Sequence, residues 1–158
     1  GIRITNNTIY LNTSDSTSEL NAAGLYVSVN GISQALIVNN IIWGNDNKDL
    51  RLGGAGTKYL KSNNVEFIQG VASVDTGNFP DQPLFESGIL NFTPQYNSPL
   101  VEGGIKPPTI VIIPVPFESN WSLGDSDMIG NPRIQYNKVD IGAFESPHGD
   151  LIFIDGFE

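Results

Sequence analysis

The sequence predicts an all-β fold built as a single-stranded solenoid, one coil per repeat, of which the chain carries the last rungs and a C-terminal cap. Three observations predict it. An Asn-Asn pair set among short apolar runs recurs in ITNNTIYLN (Ile4 to Asn12), LIVNNIIWGN (Leu36 to Asn45) and YLKSNNVEF (Tyr59 to Phe67). Strand positions repeat with nearly one period: Leu25 and Val27 return as Leu50 and Leu52, and Ile37 and Asn40 return as Leu60 and Asn63, each after an interval near two dozen. After Gly70 the rhythm gives way to turn-rich sequence. A phrase returning at this interval marks a coil that buries its apolar face only by stacking on its neighbours.

Up to Gly70 the short runs IRI, TIYL, LYVSV, ALIV, IIW, DLRL, KYL and VEF are punctuated by Gly and Asn, and several alternate apolar with polar, the period of a strand with one buried face. The step from Asn7 to Asn40 is longer than the others, and the excess is the polar stretch NTSDSTSELNAAG (Asn12 to Gly24), read as a surface loop inserted into one rung. Asn suits the bends between strands, since it tolerates the left-handed conformation and its amide both donates and accepts. Stacked from rung to rung, such residues are expected to bond along the axis as a ladder. An outward-facing row gripping sugar hydroxyls is the functional alternative.

The division expected is terminal rungs over 1–70, a capping and closing region over 71–146 and a tail over 147–158. The region from Val71 carries turn chemistry at Gly77, Pro80 and Pro83, and a stack needs such an element to cover its last apolar rung. No window keeps a 3.6-residue apolar period between caps, so no helix is expected. The opening GIRITNN is already strand-like, and the natural start is expected upstream, which makes this a C-terminal piece.

Eight Lys and Arg against 17 Asp and Glu give a net charge of -9, the wrong sign for a nucleic-acid partner. Zero Cys removes thiolate catalysis, disulfides and Cys-based zinc sites. The longest apolar run, TIVIIPVPF from Thr109 to Phe117, falls short of the roughly 18 residues of a bilayer span and is broken by two prolines. A soluble monomer without a membrane span is expected.

Two strings carry a family signature. DQPLFESGILNFTPQYNSPLVEGG (Asp81 to Gly104) followed by DMIGNPRIQYNKVDIGAFE (Asp127 to Glu145) resembles the closing region of bacterial right-handed parallel β-helix proteins of the choice-of-anchor type, within the exported pectate-lyase-like solenoids. NNIIWGN (Asn39 to Asn45) is similar to the last rungs of that family. The resemblance covers most of Leu36 to Glu145 and implies a right-handed parallel β-helix, secreted or held at the cell surface of a Gram-negative bacterium. Two departures stand out: Glu102 replaces the usual Asp, and the insert IKPPTIVIIPVPFESNWSL (Ile105 to Leu123) is long and apolar, implying an extra strand or an exposed flap. The tail LIFIDGFE (Leu151 to Glu158) resembles a C-terminal tail of exported proteins, with a strand added to a sheet edge as the alternative.

Catalysis has thinner support. Asp15, Glu19, Asp46 and Asp49 are the acids near rung loops, but no pair recurs at a spacing that forces two carboxylates across a glycosidic bond. DNKDLR (Asp46 to Arg51) offers both charge signs, and Asp46, Asp49 and Arg51 are the candidate ligand-binding residues. Asp127, Arg133, Asp140 and Glu145 are read as a structural pin for the cap, an Arg fork gripping carboxylates. Calcium is the one cofactor left open, through Asp125 and Asp127. His148 is the single histidine and is read as a linker residue. Trp43, Trp121 and the five tyrosines would stack on sugars if exposed, and pack between coils otherwise.

The function expected is therefore a non-catalytic capping segment of an exported β-helix protein with a polysaccharide- or cell-surface-glycan-binding face. Two other readings stand beside it: the C-terminal part of a polysaccharide lyase or glycoside hydrolase acting on upstream rungs, and a structural adhesin stalk.

Overall fold

The computed structural model describes residues 1–15, 22–88 and 91–148; Glu19 and the tail from Leu151 lie outside them. Ten short strands follow in order: β1 (Ile2–Thr5), β2 (Thr8–Tyr10), β3 (Leu25–Ser28), β4 (Gln34–Val38), β5 (Ile41–Trp43), β6 (Leu50–Gly53), β7 (Thr57–Lys61), β8 (Asn64–Val65), β9 (Ile68–Gln69) and β10 (Val74–Thr76). They form three all-parallel sheets, A (β1-β4-β7-β10), B (β2-β5-β8) and C (β3-β6-β9). The chain visits A, B and C in turn and then returns to A one strand further along. The fold is all-β and nearly helix-free, the one helical element among the described residues being a 3-10 turn at Phe117–Ser119. Among the same residues no helix is long and apolar enough to cross a membrane.

The strand pattern follows from what each face meets. Register pairs Ile4 with Ile37 and Ile37 with Leu60 in sheet A, Ile9 with Ile42 and Ile42 with Val65 in sheet B, and Leu25 with Leu50 and Leu50 with Ile68 in sheet C. These residues all belong to one interior cluster, each fully buried Ile or Leu contributing roughly 1.5–3 kcal/mol. In β6 and β7 buried and half-buried residues alternate. In β4 the run Ala35 to Val38 is buried throughout, as befits a strand covered on both faces. Sheet A gains β10 beyond Gly70, where the sequence loses its rhythm.

The corner between sheets A and B explains the paired asparagines. Asn6, Asn39 and Ser62 adopt left-handed φ of 55°, 56° and 49°, and Gly77 does so at 66°. The residue after each is Asn7, Asn40, Asn63 and Asn78, and these form a continuous ladder: Asn7 Nδ2 donates to Asn40 Oδ1 at 2.9 Å, Asn40 to Asn63 at 2.9 Å and Asn63 to Asn78 at 2.7 Å. Each acceptor oxygen also takes the backbone N–H of the residue that donates to it. Sequence separations along the ladder fall from 33 to 23 to 15, so the coils shorten toward the C-terminus. In the third pair the ladder residue is Asn63, and Asn64 belongs to β8. A second, shorter ladder follows sheet B: Asn12 donates to Asn45 at 2.8 Å, and Asn45 donates to Asp49 of its own coil at 2.8 Å.

The region after Gly70 lies along the flank of the three sheets. Ala143 N–H donates to Thr8 Oγ1 on the first rung, Gly142 N–H to the Asn39 carbonyl on the second, and Asn64 Nδ2, on the third, to the Asp81 carbonyl. Ile41, Leu100 and Ile141 form a second core there, with Trp43, Phe79 and Phe85 packed against it. The insert folds back beside sheet A: the Asn39 side-chain amide bonds both the N–H and the C=O of Ile105, Asn6 Nδ2 holds the Leu123 carbonyl, and Arg3 stacks on Phe117 at 4.2 Å. The left-handed asparagines therefore use their side chains as anchors for this second layer.

Candidate functional site

Sheets A and B are flanked by later sequence, whereas the outer face of sheet C carries a row of side chains exposed at Tyr26 and half-buried at Arg51 and Gln69. Because strand residues alternate between faces, Tyr26, Arg51 and Gln69 point outward one above another, in register across β3, β6 and β9. Tyr26 is 52% exposed, and the Arg51 guanidinium carbon sits 4.6 Å from its ring centre. At the same corner Lys48 Nζ stands 4.6 Å from the centre of the Phe67 ring, itself 47% exposed. A Cβ on Gly53 would meet the Tyr26 hydroxyl at 2.7 Å, so the glycine makes room for the ring to lie across the strand. The face thus joins two accessible rings and two cations, with the half-buried Gln69 amide, whose Oε1 is itself buried without a protein partner, at its edge; rings and cations together can stack on apolar ring faces and hydrogen-bond hydroxyl groups.

The three residues singled out in DNKDLR take different positions. Asp46 is exposed, and its carboxylate accepts Ser14 N–H at 3.2 Å. Arg51 lies on the sheet C face. Asp49 is buried and ends the second ladder, Oδ1 accepting Asn45 N–H and Nδ2, both at 2.8 Å, and Oδ2 accepting Phe67 N–H at 2.9 Å. Its carboxylate is thus turned into the stack, and Asp15 is exposed on the loop of the first rung.

Asp127, Arg133, Asp140 and Glu145 are buried and meet in one network under the closing region. Arg133 Nη1 donates to Glu145 Oε1 at 3.1 Å and to the Gly142 carbonyl at 2.8 Å, while Nη2 donates to the Ala143 carbonyl at 3.1 Å. Glu145 Oε2 accepts Asp140 N–H, and Asp140 accepts the N–H groups of Glu102 and Ser146. Asp127 takes four N–H donors, from Ile129, Asn131 backbone, Asn131 side chain and Glu145, which leaves it saturated as an acceptor. Asp125 is exposed and joins through its backbone carbonyl, which accepts Arg133 N–H. Among the described residues no group of three or more His, Asp or Glu is placed to hold a metal ion.

Burial is the largest influence on each of these carboxyls, with different outcomes. For Asp127 the hydrogen bonds from Glu145, Asn131 and Ile129 outweigh it and hold the group below its ordinary value. Asp140 is raised, burial and the Glu102 charge prevailing over two N–H donors and Arg133. Glu145 is pushed up to about 7 by burial, aided by the Asp140 charge and opposed by the Asp140 N–H and Arg133. Arg133 Nε has no protein partner although buried. The network's polar groups point inward to the chain return, which they pin.

Three clefts, of about 430, 450 and 460 Å³, flank Phe92 where β2 meets the closing region. The rings of Tyr10, Phe85 and Phe92 pack edge to face with centroids 5.1–5.8 Å apart, so these aromatics are committed to one another. His148 Nε2 stands 3.3 Å from Glu86 Oε1, in edge contact with Tyr96. The sequence points to the row on sheet C through Arg51 and, as one of five tyrosines able to stack on sugars, through Tyr26; Lys48 reads as part of a solvated turn, and Phe67 and Gln69 fall into line only once the register is known. No protein-family model, no curated protein and no solved structure matches this chain.

Proposed function

We propose that the chain is the non-catalytic closing segment of a right-handed parallel β-helix, from an exported bacterial protein of the choice-of-anchor type, and that it binds a carbohydrate chain on the outer face of sheet C. The observation that carries the binding reading is the row Tyr26, Arg51 and Gln69, one residue per rung, flanked by Lys48 and Phe67. A glycan laid along the stack meets the Tyr26 and Phe67 rings with its apolar sugar faces, and the Arg51 and Gln69 donors with its hydroxyls.

What supports the closing role is the shortening of successive coils toward Asn78, together with a returning segment that binds all three early rungs. The buried carboxylates Asp49, Asp127, Asp140 and Glu145 serve a ladder and the chain return, which favours a binding module over a hydrolase or lyase centre built on them. Glycan-array binding of the chain, with and without calcium, tests the proposal. Binding lost in Tyr26→Ala and Arg51→Ala supports it; silence under both conditions, or binding indifferent to both substitutions, sinks it.

A further inference from the structure

The insert holds a second feature, independent of the carbohydrate reading. Its ends are fastened, Ile105 by Asn39 and Phe117 under Arg3. Between them, among the described residues, no backbone hydrogen bond is made by residues 107–115. The side chains there face solvent: Val111 is 95%, Ile112 67% and Ile113 92% exposed. Prolines at 107, 108, 114 and 116 bracket the run and restrict its backbone. Five consecutive β-branched residues, Thr109 to Ile113, thus stand out as a strand-forming segment with both backbone edges open. An exposed segment of this kind is a template for pairing with another chain.

We propose that this segment pairs with its own copy in a second molecule, antiparallel about Val111, to give a symmetric dimer. The sequence is complementary to itself in that arrangement: Val111 faces Val111, Ile110 faces Ile112 and Thr109 faces Ile113, so every cross-strand pair is β-branched. No charged residue lies between Lys106 and Glu118, so no like charges oppose one another in the paired strands although the molecule as a whole carries -9. That same net charge, and the absence of flanking Arg and Lys beyond Lys106, disfavours an anionic membrane surface as the occupant. The pairing is isologous and closes at two copies. Five residues a side make a small interface, so association is weak and grows with salt as the mutual repulsion is screened.

The absence of native cysteine makes the test clean. In an antiparallel pair, facing Cα atoms on the twofold axis lie about 4.5–5.5 Å apart, within disulfide reach. Val111→Cys is expected to oxidise to a covalent dimer roughly tenfold or more faster than Ile32→Cys, a control whose native residue is 100% exposed in a different turn. Sedimentation of the native chain should shift from the 17.1 kDa species toward twice that mass as salt and protein concentration rise, and Val111→Lys should abolish the shift without altering stability. Equal oxidation rates for the two cysteine variants, or a native chain that stays at the single mass in high salt, would overturn the proposal. So would capture of the native chain, but not Val111→Lys, by neutral phosphatidylcholine vesicles with no dimer formed.

Discussion

Asn40 and Asn63 share a two-pronged bond: the backbone N–H and the side-chain Nδ2 of Asn40 both end on the Oδ1 of Asn63, at 3.0 and 2.9 Å. The Asn40 amide also holds the carbonyls of Ile4 and Val38, and its own oxygen serves Asn7. Replacing Asn40 with Ala therefore strands polar groups on three coils at once. We expect a loss of about 3 kcal/mol in urea unfolding, with Asn7→Ala, at the exposed end of the ladder, costing less than about 1 kcal/mol. Equal losses at the two positions would show that the ladder does not act as a buried unit.

Gly142 takes φ of 106°, and a Cβ there would lie 2.4 Å from Ile41 Cδ1 and 3.0 Å from Thr8 Oγ1. Gly142→Ala should destabilise by about 2 kcal/mol or more through combined backbone strain and overlap with the second core. Gly130 also has positive φ, at 94°, but meets nothing within 4 Å, so Gly130→Ala should show the backbone component alone and a smaller loss. Matched unfolding curves separate the two.

Stability should fall as pH rises from about 4.5 to about 7. Glu145 is protonated in the folded chain up to about 7 but only up to 4.5 when unfolded; the folded state binds more protons in that window, so raising pH favours unfolding. Asp140, raised as well, acts in the same direction. Asp127 acts oppositely: its carboxyl is held below 3.8, and the stability it contributes above that value is lost on further acidification. Chemical denaturation across this range checks the sign, and Glu145→Gln should flatten the decline. Stability that climbs across the same window would contradict the assignment.

Breaking the Arg133–Glu145 pair from one side leaves a buried carboxyl without its cation. Arg133→Met should cost roughly 3–5 kcal/mol, and the double variant with Glu145→Leu should recover much of that loss. A double variant no more stable than Arg133→Met would place the effect in the Gly142 and Ala143 carbonyls that Arg133 also binds.

Calcium removal with a chelator should leave the unfolding transition where it is, because Asp127 already accepts four N–H donors. A rise in melting temperature on adding calcium would show that cation binding reorganises this carboxylate.

The sequence discloses the repeat because a buried polar corner demands an amide at each return, and Asn40 and Asn63 obey it 23 residues apart. It conceals the third step, because Gly77 supplies the left-handed residue before Asn78 and the doublet disappears. Asp49 misleads for a related reason. A carboxylate ending an amide ladder is indistinguishable, in one dimension, from a charged turn. The placement of the closing region along the flank is hidden too, since the contact of Ala143 with Thr8 spans 135 residues. Of the candidate site, Arg51 is legible through its charge and Tyr26 as one ring among five; that the two meet, and that Gln69 stands above them, needs the register that only the stacked strands reveal.

The long ladder runs one way. At each step from Asn7 through Asn78 the donor belongs to the earlier coil and the acceptor to the later one, and the step from Asn12 to Asn45 keeps the same sense. Every intermediate coil therefore has a donating rim and an accepting rim, like identical links of a polar chain. A duplicated coil inserted between two others would find matching rims above and below, and a deleted one would let its neighbours rejoin. Length is consequently a property that gene duplication can change in whole coils while the corner chemistry stays the same.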